Sequence, residues 1–284
     1  MPKIVGIIHA RMKSSRLPGK VLLDLKGRTV FYHHIERMRQ CKGLDSIYLA
    51  TSVDPENKPL IDEAKRLNIP YYCGLEEDVL ERLIAIADLE KADAVIRCGC
   101  DKPLFSFEII DQVIDQYQGE DYVSANNIKA RGINTELFST TALKKIHQEY
   151  QGEFITNYVK EYPHLFRIKG LEAPKDLAWK DFRLAMDTPE DYQMIKAIYD
   201  HLYEDKKPVP LAKALLFLDA HPEISNINRF VEESKGNSYG AQLDDKPIFS
   251  IYQKASGKYV VKNRIGENVS YKEFQGILEQ ARWE

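Results

Sequence analysis

Apolar runs rich in branched residues alternate with helical patterns in the N-terminal part of the chain, and this alternation restricts it to a small set of folds. IVGIIHA is followed by an amphipathic stretch near Val30 to Gln40, and SIYLATS by one near Lys58 to Leu67. PYYCG precedes a stripe of Val79, Leu80, Leu83, Ile84 and Ala87 that leads into DAVIRCGC. Continuous apolar runs suit strands buried on both faces, and intervening helices suit crossovers, so the pattern predicts an α/β, mostly parallel sheet with helices on both faces. Right-handed crossovers then align the loops after the strands along one edge.

After Asp101 the rhythm loosens into a helix near Phe107 to Tyr117, a strand DYVSANN, and a mixed stretch from Ile133 to Ile168. FRLAMD reads as an alternating strand. DTPEDYQMIKAIYDHLY then reads as a helix whose Thr188, Pro189 and Asp191 have capping-box spacing. A further helix is predicted near Pro210 to Ala220. From Glu232 the composition turns polar and turn-rich, which divides the chain into a main domain (1–231) and a linker with a small C-terminal α+β appendage (232–284). In that appendage IFSIYQ and KYVVKN flank ASG as a hairpin, and Ser270 to Ala281 has the pattern of a capped helix. A unit this small is expected to pack on the main domain or on a partner subunit.

Composition excludes some functions. With 284 residues, 44% hydrophobic, 29% charged and a net charge of −3, the chain has no global basic field, so nucleic acid is not an expected partner and any anion site must be local. The apolar N-terminal run is too short for a signal or a membrane span, so a cytoplasmic protein with no membrane partner is expected. Cys41, Cys73, Cys98 and Cys100 lack zinc-site pairing and disulfide-scaffold density, which points to reduced thiols. Cys98 and Cys100 flank a glycine in a strand-like run, where structural filling is the simpler reading than metal or redox chemistry.

The loop HARMKSSRLPGK follows the first strand and carries Arg11, Lys13, Arg16 and Lys20 with Ser14, Ser15 and Gly19 among them and no acid. Arg forks, a compact Lys charge, hydroxyls and glycine-exposed amides together suit a polyphosphate. Spacing alone leaves two readings open: a phosphate site, or a solvated basic loop. The sequence lacks both GxxxxGK[ST] and GxGxxG, which disfavours a P-loop ATPase and a dinucleotide dehydrogenase.

Two aspartates end predicted strands. Asp101 follows DAVIRCGC and Asp187 ends FRLAMD, so both carboxylates fall at the edge that carries the basic loop. Each alone is explained by turn or helix-start chemistry, but the pair suits a hard cation such as Mg²⁺, which takes one or two carboxylates beside phosphate oxygens. His9, at the end of the first strand, is either packed within the protein or in contact with a bound base or sugar. His33 and His34 are adjacent on a helix and point about 100° apart, which argues against a shared metal. No HExxH or GxSxG is present.

IIHARMKSSRLPGKVLLDLKG resembles the signature of cytidylyltransferases of the spore coat polysaccharide biosynthesis protein F type, relatives of the enzymes that make CMP-sialic acid and CMP-3-deoxy-manno-octulosonate. The resemblance runs on through IYLATSVDP, CGLEEDVLERL, VIRCGCDKPLF, GINTELFSTTAL and LAMDTPEDYQMIKAIY, covering residues 3–228. It implies a Rossmann-like nucleotide-diphospho-sugar transferase fold and a reaction of CTP with a sugar or sugar acid, giving a CMP-sugar and pyrophosphate in surface polysaccharide or glycoconjugate biosynthesis. Arg11, Ser14, Arg16 and Lys20 match the family's triphosphate loop, and Asp101 and Asp187 its magnesium-binding pair, so that Arg11, Arg16, Lys20 and Asp101 are the catalytic candidates. Ala10, Thr51, Ser52, Gly74, Asp78 and Arg82 match positions that shape the nucleotide pocket, and Glu136, with His9, falls on the acceptor side. The sequence departs from the family at His9, where Gln is usual, at Cys100 and Lys102 around Asp101, and at GEFITNYV. Related enzymes are often homodimers, and the Ile133 to Ile168 stretch is the candidate contact. Two alternatives stand beside this reading: a same-fold transferase acting on a sugar phosphate or consuming a nucleotide sugar, and a catalytically silent nucleotide binder.

Overall fold

The computed structural model describes all residues except 127, 151–154, 175–180, 232–240, 244–245, 248, 254–258, 264–281 and 284. Strand β1 (Ile4–His9) lies third from one edge of a seven-stranded sheet. A two-strand ribbon, β2 (Asp24–Leu25) and β3 (Arg28–Thr29), leads into α1 (Val30–Met38). The crossover pattern then continues through β4 (Ser46–Ser52), α2 (Lys58–Arg66), β5 (Tyr71–Gly74), α3 (Val79–Glu90) and β6 (Ala94–Gly99). The second half supplies α4 (Phe107–Asp115), β7 (Tyr122–Asn126), β8 (Glu136–Ser139), α5 (Thr140–Glu149), α6 (Ile155–Glu161), β9 (Ile168–Glu172), α7 (Pro189–Leu202) and α8 (Leu211–Ala220).

The strand order is β5-β4-β1-β6-β8-β7-β9. β1 runs parallel to β4 and β6, and β4 to β5. β8 is antiparallel to both neighbours, and β7 is again parallel to β9, so β8 alone is reversed. Side chains of β1 alternate between two cores: Ile4 and Ile8 join the helices α1, α2, α4, α7 and α8, while Val5 and Ile7 join α3, α5 and α6. The expected mostly parallel sheet with helices on both faces is thus present. No described helix is long and apolar enough to cross a membrane.

Local chemistry starts the helices. Thr29, Asp78, Ser106 and Ser139 cap α1, α3, α4 and α5 with side-chain oxygens. Thr188 and Asp191 form the expected capping box at α7.

One expectation is corrected. FRLAMD forms no strand ladder: Arg183 makes a single parallel bridge with Arg131, through Arg131 N to Phe182 O at 2.8 Å and Leu184 N to Arg131 O at 2.7 Å. Gly132 ends the pairing. Its φ of 87° turns the chain, and a Cβ there would lie 2.4 Å from the Ala185 nitrogen. The extended segment instead runs past β6, where Met186 N donates to Asp101 O at 2.8 Å. In the C-terminal part the expected hairpin pairs Phe249–Gln253 with Tyr259–Asn263, while the helix expected at Ser270 to Ala281 lies outside the described residues.

Candidate active site

Parallel strands ending together leave a crevice beyond their carboxyl ends, and a cleft of about 870 Å³ opens beyond β1 and β6. Its lining includes His9, Ala10, Arg11, Ser14, Arg16, Lys20, Arg82, Arg97, Asp101 and Asp187.

The basic loop is held from several sides. Ala10 N donates to Ala50 O at 3.0 Å, and Met12 N to the buried Asn57 Oδ1 at 2.8 Å. Gly19, at φ 68°, lets the chain fold back so that its N–H reaches Met12 O at 2.9 Å and Lys20 starts a short 3₁₀ turn. The loop therefore curls around its own cations. Arg11 Nη1 reaches Glu76 Oε1 at 2.9 Å and Glu76 O at 3.1 Å, whereas Lys13 pairs with Asp54 near the mouth.

Lys20 and Arg16 cross to the far wall. Lys20 Nζ lies 2.8 Å from Asp187 Oδ1, and Arg16 Nη2 lies 3.3 Å from Asp187 Oδ2. Arg183 Nη2 meets the same Oδ2 at 3.1 Å. Burial pushes the Asp101 carboxyl up, yet Lys20, Lys102 and its own backbone N–H hold it down to about 2. It is ionised at neutral pH. His9 shows the opposite balance: burial first, then Arg97, lowers its basicity despite Asp101, so the ring is neutral. His9 Nε2 is buried with no hydrogen-bond partner among the described residues.

The remaining predicted residues build the walls. Gly74 lets the first turns of α3 approach β5, since a Cβ there would lie 2.7 Å from Arg82 Cγ. The buried Arg82 donates to the carbonyls of Leu75 and Glu76. Thr51 and Ser52 are fully buried and do not line the cleft; Ser52 Oγ donates to Glu76 and accepts from Asn57 at 2.7 Å. Asp78 also stays outside the lining, capping α3 and meeting His147 Nε2 at 2.7 Å. Glu136 stands behind Arg97, whose Nη1 lies 3.0 Å away, and accepts from Tyr122 at 3.0 Å and Thr156 at 2.5 Å. Burial raises its carboxyl, but Arg97, Lys102 and these donors bring it below the ordinary glutamate range.

Four participants escape sequence reasoning: Glu76, Arg97, Arg183 and Asp191. Arg97 had a signal, a cation inside an otherwise apolar central strand. Glu76 gains its meaning from Arg11 and Asp191 part of its meaning from Asn228, both far away along the chain, while Arg183 meets the nearby Asp187 and Asp191.

Among the described residues no group of three or more His, Cys, Asp or Glu side chains could hold a metal by itself. Asp101 and Asp187 nevertheless fit a hard cation that shares its coordination with phosphate and water. Both are oxygen donors on one cleft, and Asp101 is held ionised.

A mostly parallel α/β sheet with a cationic, carboxylate-bearing cleft at its carboxyl edge has the build of a protein that binds a phosphate-bearing ligand there. The cytidylyltransferase family profile matches residues 5–214, and the chain belongs to that family. It is 32% identical over 235 residues to the spore coat polysaccharide biosynthesis protein SpsF of Bacillus subtilis, covering 78% of this chain and 97% of that one. The structure of a cytidylyltransferase from Leptospira borgpetersenii superposes with a TM-score of 0.73 at 25% identity, covering 82% of this chain and all of that one. A CMP:2-keto-3-deoxy-manno-octonic acid synthetase solved with CTP shares the fold, with a TM-score of 0.55 at 17% identity over 70% of this chain and 98% of that one.

Proposed function

We propose that the chain transfers a cytidylyl group from CTP to a hydroxyl of a sugar or sugar acid with Mg²⁺ as cofactor, releasing pyrophosphate, in surface polysaccharide or glycoconjugate biosynthesis. The observation that carries this reading is the convergence of Lys20 and Arg16 on Asp187 in a cleft that also holds Asp101.

The acceptor oxygen attacks the α-phosphorus in line, the bond to the α–β bridging oxygen breaks, pyrophosphate departs, and the hydroxyl proton is released to water. Such transfers depend on positioning and charge neutralisation more than on covalent help from the protein. Arg11, Arg16 and Lys20 hold the β and γ phosphates and so align the leaving group, with Ser14 supplying a neutral donor. Ala10, Thr51, Ser52, Gly74, Asp78 and Arg82 shape the cytidine side, several of them from behind the wall. Asp101 and Asp187 would hold Mg²⁺, which would neutralise charge on the phosphate oxygens. His9 offers its unpartnered Nε2 to the acceptor, and Glu136 sets the position of Arg97 beside it.

The test is Lys20→Ala. Loss of a phosphate contact made mainly in the transition state lowers kcat by about 10²-fold or more, with a smaller effect on acceptor KM. Near-full turnover with CTP in that variant would remove the loop from the mechanism.

A further inference from the structure

Cations assigned to phosphate are engaged with a carboxylate assigned to metal. Lys20 Nζ sits 2.8 Å from Asp187 Oδ1, and Arg16 Nη2 sits 3.3 Å from Oδ2. One ammonium therefore sits on a carboxylate that fits the divalent cation, in a cleft that also holds the other. Its side chain is 15% exposed, so it is set into the cleft rather than free in water.

Arg183 differs from these two. It too meets Asp187, but its Nε and Nη2 also lie 2.8 and 3.1 Å from the fully buried Asp191. It belongs to the wall, whereas Lys20 and Arg16 reach Asp187 from the curled loop.

We propose that Lys20 is a built-in cation that occupies the divalent-metal position until a nucleoside triphosphate draws it away, so that nucleotide and metal bind cooperatively. This rests on the nucleotidyl-transfer reading above. A triphosphate offers Lys20 and Arg16 new anionic partners, and Asp187 is thereby released to a divalent cation. The exchange keeps every charge compensated: lysine moves from carboxylate to phosphate, and the metal takes the carboxylate. A nucleoside monophosphate lacks the β and γ groups and leaves Lys20 in place.

The experiment measures Mn²⁺ binding to the full-length chain by the EPR signal of free Mn²⁺. Without nucleotide, wild type is expected to bind weakly, and Lys20→Met to bind at least about tenfold more tightly because the competing charge is gone. Lys20→Arg keeps the charge and stays as weak as wild type. Adding Asp187→Asn to Lys20→Met abolishes the gain. With wild type, CTP promotes retention of Mn²⁺ on the protein and CMP does not. If wild type with CTP retains Mn²⁺ but nucleotide-free Lys20→Met gains nothing over wild type, the built-in cation is wrong while the metal reading stands. If wild type with CTP retains no Mn²⁺ beyond what CTP alone chelates, the metal reading itself fails.

Discussion

The fully buried Asp191 carboxylate accepts the backbone N–H of Asp187 at 2.9 Å, fixing one proposed metal-binding aspartate through another that never faces the cleft. The same side chain takes the Thr188 N–H at 3.0 Å, Arg183 Nε at 2.8 Å and Asn228 Nδ2 at 2.9 Å. One residue thus joins the α7 cap, the Arg183 ion pair and the far wall of the site.

Asp191→Ala is expected to cost about 3–5 kcal/mol, because it leaves the Arg183 guanidinium and two backbone donors without their buried acceptor. Urea unfolding measures this. A loss below about 1 kcal/mol, the range of an exposed pair, would show that Asp191 is not the anchor described.

Gly99→Ala tests the approach of Asp101 to β6. A Cβ at Gly99 would stand 2.5 Å from Asp101 Oδ1 and 3.4 Å from His9 Nε2, so the carboxylate must turn away. Turnover with CTP is expected to fall on the order of 10²-fold with the melting temperature nearly unchanged, since small displacements of a reacting site are costly. Unaltered turnover would mean that the Asp101 position seen here is not the working one.

Acid is expected to weaken the fold in two stages. Burial lowers His33 and His34 to about 4 each, so both are neutral when folded, with their ring nitrogens on the Leu25 and Val30 carbonyls. The unfolded chain takes up these protons first, near the ordinary pKa of about 6.5, so stability is full above that pH and is lost as pH falls towards about 4. At Asp191 burial acts upward, but Arg183, the Asp187 amide and Asn228 hold the carboxyl below its ordinary range. That contribution is present above about pH 4 and is lost as the pH falls through the depressed folded value. Unfolding free energy measured against pH in wild type and in His33→Gln/His34→Gln tests the first stage: the double variant should flatten the slope between about pH 6.5 and 4. An identical slope would contradict it.

The alternation of IVGIIHA, SIYLATS and DAVIRCGC with helical stripes made the parallel half of the sheet legible, because those strands are buried on both faces and their crossovers are local. The charge-rich loop from Arg11 to Lys20 was legible for a similar reason: its members are neighbours in sequence. FRLAMD misled, since its alternation comes from Leu184 and Met186 entering the core, while Gly132 limits its pairing to one bridge. Asp191 was readable as a helix start but not as the acceptor for Asn228, and Glu76 gave no sign of its tie to Arg11. Those contacts exist only once the sheet has brought distant loops to one edge.

The central claim is cytidylyl transfer, and the most direct measurement is pyrophosphate release from ATP, CTP, GTP and UTP, each with Mg²⁺, over a panel of sugar acids and sugar phosphates. Release with CTP is expected to require a sugar or sugar-acid acceptor and to fall about 10²-fold in Lys20→Ala. Release that prefers another nucleotide, or CTP binding without turnover on any acceptor, would contradict it.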